Sequence, residues 1–223
     1  MARCAAILLG SGAGGIDELE ASLATVEREH SGVTPDVFVT LEPFAETSRT
    51  WLADNKERIT KAYTSPYHVG WPIMVNTVID QQLEQGEFEY DVVVMLTRGV
   101  TVGAKGWLRW AIEEITSERN EIVISLGGAK DMETQRGAID NGDGTWIVPR
   151  LIGGAIVPAR ELVQWRCTPY QPTRGMSWLD DFGDHATGAH RLKLYKPGLQ
   201  CEYPEIQPSM NTFAGFDGGV AHG

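Results

Sequence analysis

Residues 90–110 read YDVVVMLTRGVTVGAKGWLRW, and this stretch constrains the fold more than any other. After Asp91 the run to Leu96 is apolar at every position, as in a buried strand of a sheet covered on both faces. It breaks at Thr97-Arg98-Gly99 and resumes as a helix over Gly106–Ser117. A buried strand that ends in a short polar turn is where an open α/β sheet places its ligand.

The rest of the first half repeats the pattern. Arg3–Leu9 is a strand and Ile16 to about His30 a helix, with Ile16, Leu19, Leu23 and Val26 on one face. Pro35–Leu41 is a second strand, ending at Glu42-Pro43, and Ala45–Ile59 is helical in composition. Tyr63–Pro66 is a short extended piece, His68–Pro72 a turn, and Ile73–Leu83 a helix closed by Gly86. Strands alternating with helices imply a mostly parallel sheet flanked by helices. A chain of 223 residues suits one such α/β domain.

The second half is less regular. Glu121–Leu126 is a strand, and Asp140-Asn141-Gly142-Asp143-Gly144 is a hairpin or loop signal between Met132–Ile139 and Thr145–Val148. Its carboxylate spacing hints at calcium, but the remainder of a calcium loop is missing, so a turn is expected. Leu151–Val157 is apolar and interrupted by Gly153-Gly154, Arg160–Gln164 is a short helix, and Arg191–Tyr195 is the closing strand. A Gly/Pro-rich tail occupies 204–223.

Several function classes are disfavoured. A net charge of −11 opposes a large sequence-independent DNA-binding surface. Cys4, Cys167 and Cys201 are widely spaced and odd in number, which supports neither a zinc site nor a disulfide framework and suits a reducing cytoplasm. No apolar run reaches the ~20 residues of a membrane span. The N-terminal apolar run Cys4–Leu9 is shorter than the roughly 7–15 residues of a signal-peptide core, so it is expected to be a strand. Gly10-x-Gly12-x-x-Gly15 has dinucleotide-fold spacing, but no acidic residue clearly follows at the ribose-binding position, Glu42 being arguable.

The order of these features resembles the GT-A-fold glycosyltransferases, in particular their large inverting family, over roughly Arg3 to Tyr203. The resemblance implies a single GT-A-like, Rossmann-like α/β domain over 1–203. Its nucleotide-binding half would be 1–95 and its acceptor half 96–203. By position it assigns Gly10, Ser11 and Glu42 to the nucleotide and makes Asn76 a further substrate-binding residue, Gly70 and Asn76 matching the Gly…Asn segment before the central strand. Thr97-Arg98-Gly99 falls at the donor diphosphate and Gly153-Gly154 at the acceptor side. Asp180-Asp181 falls at the catalytic base, and Arg191–Pro197 at the closing strand. The family's Asp-x-Asp metal motif is replaced by Thr97-Arg98-Gly99, and Gln200-Cys201-Glu202-Tyr203 lacks the family's metal-binding His. A divalent metal is therefore not expected to bind in the usual way, and no metal ligand is assigned.

Glycosyl transfer must stabilise a leaving diphosphate, deprotonate an acceptor hydroxyl and hold the two in line. Arg98, aided by Lys130 or Arg150, can supply the positive charge, because a guanidinium pairs bidentately with phosphate. As a bland alternative, Arg98 is a solvated strand-end residue. Asp181 is the preferred base with Asp180 beside it, and Asp184 and His185 are alternatives; such acidic clusters also occur simply at helix starts. Of the seven tryptophans most are expected in the core, with Trp178 the one set against a ligand.

The expected function is transfer of a sugar from a nucleotide-sugar donor, a UDP-sugar first, to an acceptor hydroxyl on a protein, glycan, small molecule or modified DNA. Compact enzymes of this kind occur in bacteriophages, where they act on virion proteins or hydroxymethylated bases. A cytoplasmic, membrane-free location is expected. The alternatives are a catalytically degenerate nucleotide- or glycan-binding domain and a nucleotide-dependent oxidoreductase.

Overall fold

The computed structural model describes residues 2–10, 15–28, 32–67, 69–86, 88–97, 99–117, 122–167 and 192–202. In chain order the strands and helices begin β1 (Cys4–Gly10), α1 (Ile16–Glu27), β2 (Asp36–Leu41), α2 (Glu46–Asp54), β3 (Lys61–Thr64) and α3 (Trp71–Glu84). They continue with β4 (Val92–Thr97), β5 (Thr101–Val102), α4 (Trp107–Thr116), β6 (Ile122–Ser125) and α5 (Ala129–Glu133). The last are β7 (Ile139–Asp140), β8 (Trp146–Ile147), β9 (Gly154–Pro158), α6 (Ala159–Trp165), β10 (Leu192–Tyr195) and β11 (Cys201–Glu202).

Nine strands form one sheet in the order β3-β2-β1-β4-β9-β6-β10-β8-β7. Its first four strands are parallel. β9 then runs antiparallel between β4 and β6, β10 returns parallel to β6, and β8 is antiparallel to both β10 and β7. The α/β expectation holds, with the sheet mixed in its second half. The reversal has a local cause. The chain arrives at Gly153 at the edge where β4 ends, so β9 leaves in the opposite direction, with Leu96 opposite Gly154.

β1 shows why the strands are apolar throughout. Side chains alternate across a strand. Cys4, Ala6 and Leu8 enter the layer containing Leu19, Leu23 and Val26 of α1 and Leu108, Ala111, Ile112 and Ile115 of α4. Ala5, Ile7 and Leu9 enter the layer containing Met74, Val75, Val78 and Ile79 of α3 and Leu162 of α6. β4 divides likewise, Val92, Val94 and Leu96 to one side and Val93 and Met95 to the other.

The 140–144 turn satisfies its own carboxylates. Gly142 N–H donates to Asp140 Oδ1 (2.8 Å) and Thr145 N–H to Asp143 Oδ1 (2.9 Å), as expected of a turn. A second small sheet pairs β5 with β11, placing Thr101 opposite Glu202 and Val102 opposite Cys201. It ties the segment after the central strand to the end of the described chain. Among the described residues, no helix is long and apolar enough to cross a membrane.

Candidate active site

The parallel strands bring their C-terminal ends to one edge of the sheet. Gly10 ends β1, Glu42 follows β2, and Thr97 ends β4. The register places Gly10 opposite Leu41 and Leu9 opposite Thr97, while Gly154 begins β9 opposite Leu96. Five of the sequence-assigned residues, Gly10, Glu42, Thr97, Gly153 and Gly154, thus line four adjacent strands. At ~4.8 Å per strand the row spans about 14 Å, comparable to an extended nucleoside diphosphate.

Close packing requires glycine at several of these points. A Cβ on Gly10 would lie 3.0 Å from Leu41 Cδ2. A Cβ on Gly154 would lie 2.6 Å from the Met95 carbonyl oxygen, and Gly153 has φ +78° with the Leu126 carbonyl oxygen 2.9 Å from its Cβ position. The pair lets β9 slot between β4 and β6. The Thr97 hydroxyl donates to the Gly153 carbonyl, joining the end of β4 to the start of β9. Gly99 turns the chain with φ +76°, and its N–H donates to the Glu18 carbonyl of α1 (3.2 Å).

Glu42 is 4% exposed, and a single carboxylate oxygen accepts the N–H groups of Val69 (2.7 Å) and Gly70 (2.8 Å). Those residues lead into α3, so the negative charge also lies at the favourable end of the helix dipole. Glu42 therefore fixes the loop after β3. On that loop Tyr67 is 74% exposed, the most exposed large hydrophobic side chain among the described residues. Its backbone is held by Ser65, whose hydroxyl donates to the Tyr67 carbonyl (2.8 Å) and accepts the Tyr67 N–H (3.2 Å). Sequence reasoning missed Tyr67. The available signal was an aromatic beside Pro66 in a turn following a strand.

Asn76 lies in α3 with both ends of its amide on the backbone of Cys167: Nδ2 donates to the carbonyl and Oδ1 accepts the N–H, each at 2.8 Å. Gln135 holds Arg150 in the same manner, accepting its N–H (2.9 Å) and donating to its carbonyl (3.3 Å). Lys193, 5% exposed, donates its ammonium to the Pro149 carbonyl at 2.6 Å. Ser125 holds Ile152 through Oγ. The 149–153 approach to β9 is thereby fixed nearly residue by residue. It carries the exposed Arg150 towards the edge, where α5 also presents the exposed Lys130 after β6.

Ser11, Arg98, Trp178, Asp180, Asp181, Asp184 and His185 lie outside the described residues, as does the tail at 204–223. Of the other tryptophans, Trp51 and Trp107 are buried, and Trp71, Trp110, Trp146 and Trp165 are half-buried. Burial pushes the thiols of Cys167 and Cys201 up to about 12, which keeps both protonated and poor nucleophiles near neutrality.

The fold is that of the GT-A glycosyltransferases. It is similar to a mannosyltransferase from Pyrobaculum calidifontis solved with GDP-mannose and Mn2+, with TM-score 0.68, 10% identity and 93% of this chain covered. It is similar also to GalNAc-T7 solved with UDP, GalNAc and Mn2+ (TM-score 0.63, 10% identity, 91% covered). A third likeness is to S. aureus TarS with UDP (TM-score 0.59, 12% identity, 86% covered). The chain spans 58%, 44% and 60% of those chains, respectively. No protein-family model matches the sequence, and no curated protein matches it. At such identities the likeness is one of fold.

Two of these structures contain Mn2+. At the end of β4 the described side chains do not assemble a site for such an ion. Thr97 directs its hydroxyl hydrogen at Gly153, and Gly99 has no side chain. Among the described residues no group of three or more His, Cys, Asp or Glu side chains converges.

Proposed function

We propose that this chain is a glycosyltransferase that moves a sugar from a nucleotide-sugar donor, a UDP-sugar first, to an acceptor hydroxyl. The supporting observation is the strand-end edge of a GT-A sheet, a fold shared over most of the chain with proteins solved with GDP-mannose or UDP. Ligands of open α/β sheets bind at that edge.

In the proposed reaction the acceptor oxygen bonds to the anomeric carbon as the bond from that carbon to the diphosphate breaks. The bonding pair leaves with the nucleoside diphosphate. The acceptor proton passes to a carboxylate, Asp181 with Asp180 beside it. Charge accumulating on the diphosphate is met by Arg98, supported by Lys130 or Arg150, whose cationic groups require no proton transfer to do so. Gly10, Ser11 and Glu42 frame the nucleoside, the 97–99 turn the diphosphate, and Gly153, Gly154 and Trp178 the acceptor side. The net charge of −11 favours a protein, glycan or small-molecule acceptor over DNA.

The test is release of nucleoside diphosphate from a panel of UDP- and GDP-sugars, with and without EDTA. Turnover of one donor is expected. Binding without turnover would indicate a degenerate binding domain instead. Binding of NAD with no affinity for any nucleotide sugar would indicate an oxidoreductase.

A further inference from the structure

The backbone leaving α6 has an unusual conformation. Arg166 has φ +55° and ψ 165°, in or next to a region that is essentially reserved for glycine. Such a conformation persists only where surrounding contacts over-determine it. Besides the helical bond from Arg166 N–H to the Leu162 carbonyl (3.0 Å), α3 supplies side-chain contacts here. Asp80 Oδ1 receives Arg166 Nη2 at 2.8 Å, and one turn earlier Asn76 holds both the N–H and the carbonyl of Cys167 at 2.8 Å. Cys167 is itself buried in the layer containing Met74, Val75, Val78 and Ile79. The same helix is fixed at its start by Glu42 through Val69 and Gly70.

We propose that Asn76 is a positioning residue that acts through Cys167 rather than a nucleotide contact. With Asp80 it holds the strained junction at Arg166-Cys167 and so fixes the point from which the chain carrying Asp180 and Asp181 departs. Both functional ends of the Asn76 amide are already engaged, and they match a peptide group as a neighbouring strand would. α3 thereby links the Val69-Gly70 turn held by Glu42 to the Arg166-Cys167 junction, which precedes the acidic pair in the chain. The role assigned to that pair rests on the glycosyltransferase reading; the clamp does not.

Two measurements on the full chain test this. Hydrogen exchange of the peptide containing Cys167 is compared between wild type and Asn76→Ala, and UDP and GDP affinities are measured for both. Losing two backbone bonds should accelerate exchange at Cys167 roughly 10- to 30-fold, with nucleotide affinity unchanged. With a donor that is turned over, kcat should fall while KM for the donor holds. Unchanged exchange at Cys167 would overturn the proposal, and weakened nucleotide binding beside it would make Asn76 a ligand contact instead. Should Asn76→Ala fail to fold, Asn76→Asp serves. It keeps the shape and the acceptor for the Cys167 N–H but sets a carboxylate oxygen against the Cys167 carbonyl, so faster exchange is again expected, and unchanged exchange again overturns the clamp. A wild-type chain that binds neither UDP nor GDP would sink the donor reading, while the exchange result would still decide the clamp.

Discussion

Replacing Glu42 tests how the strand-end edge is built. Its carboxylate accepts two backbone N–H groups through one oxygen, at 2.7 and 2.8 Å, in a residue 4% exposed. Hydrogen bonds to a charged acceptor contribute about 1.5–3 kcal/mol each. Val69 and Gly70 are only half-buried, so water recovers part of that loss in Glu42→Ala. A destabilisation of ~2–4 kcal/mol is expected. Glu42→Gln keeps an acceptor oxygen in place and loses only the charge assistance, about 1 kcal/mol. For a chain of this size each kcal/mol lowers Tm by roughly 2–4 °C. Urea and thermal unfolding of the two variants give the comparison. Because the held loop carries Tyr67, nucleotide affinity should also fall more in Glu42→Ala than in Glu42→Gln. Equal and small losses of stability in both variants would refute the clamp.

Tyr67→Ala should leave Tm unchanged, since the ring is exposed, but weaken binding of a nucleoside diphosphate by ~10-fold through lost stacking on the base; Tyr67→Phe should bind as wild type, and unaltered affinity in the alanine variant would remove the residue from the site. Gly154→Ala places a Cβ where the Met95 carbonyl leaves 2.6 Å, so a loss of about 1–3 kcal/mol in urea unfolding is expected. Burial pushes the thiols of Cys4, Cys167 and Cys201 up to about 12, so a thiol reagent should label none of them natively and all three in guanidinium; fast native labelling would contradict that burial. Hydrogen bonding to Arg58 holds the Glu20 carboxyl below its usual 4.5. The stability this brings is present above the unfolded value and lost as pH falls through the lower folded one, so Arg58→Met should flatten the acid limb of the stability curve below about pH 4.5.

The strands β1, β2, β4 and β6 and the helices α1 and α3 were legible because each carries a strong local signal. Continuous apolar runs marked the strands, and spacing of three and four residues marked Leu19, Leu23 and Val26. Helix ends were less so. The predicted helix over Ala45–Ile59 stops at Asp54 as α2, where the Asn55 side chain also bonds the Trp51 carbonyl. The pairing of β5 with β11 was invisible, since two-residue strands joined across a hundred residues leave no periodicity. The reversal of β9 was also illegible, although Gly153-Gly154 marked the place where backbones would approach closely. In the site, strand ends located Gly10, Glu42, Thr97 and the glycine pair. What the sequence could not convey is that Glu42 and Asn76 spend their polar atoms on backbone groups far along the chain. Such long-range partners depend on how α3 packs, which no local pattern encodes.

The most direct test of the proposed donor edge is calorimetric titration of UDP and GDP into the full chain, with and without Mn2+, beside the Arg98→Ala variant. Saturable binding of one nucleotide, weakened by loss of the guanidinium, is expected. Absence of saturable binding by either nucleotide under both conditions would contradict a nucleotide-sugar site at the ends of β1, β2 and β4.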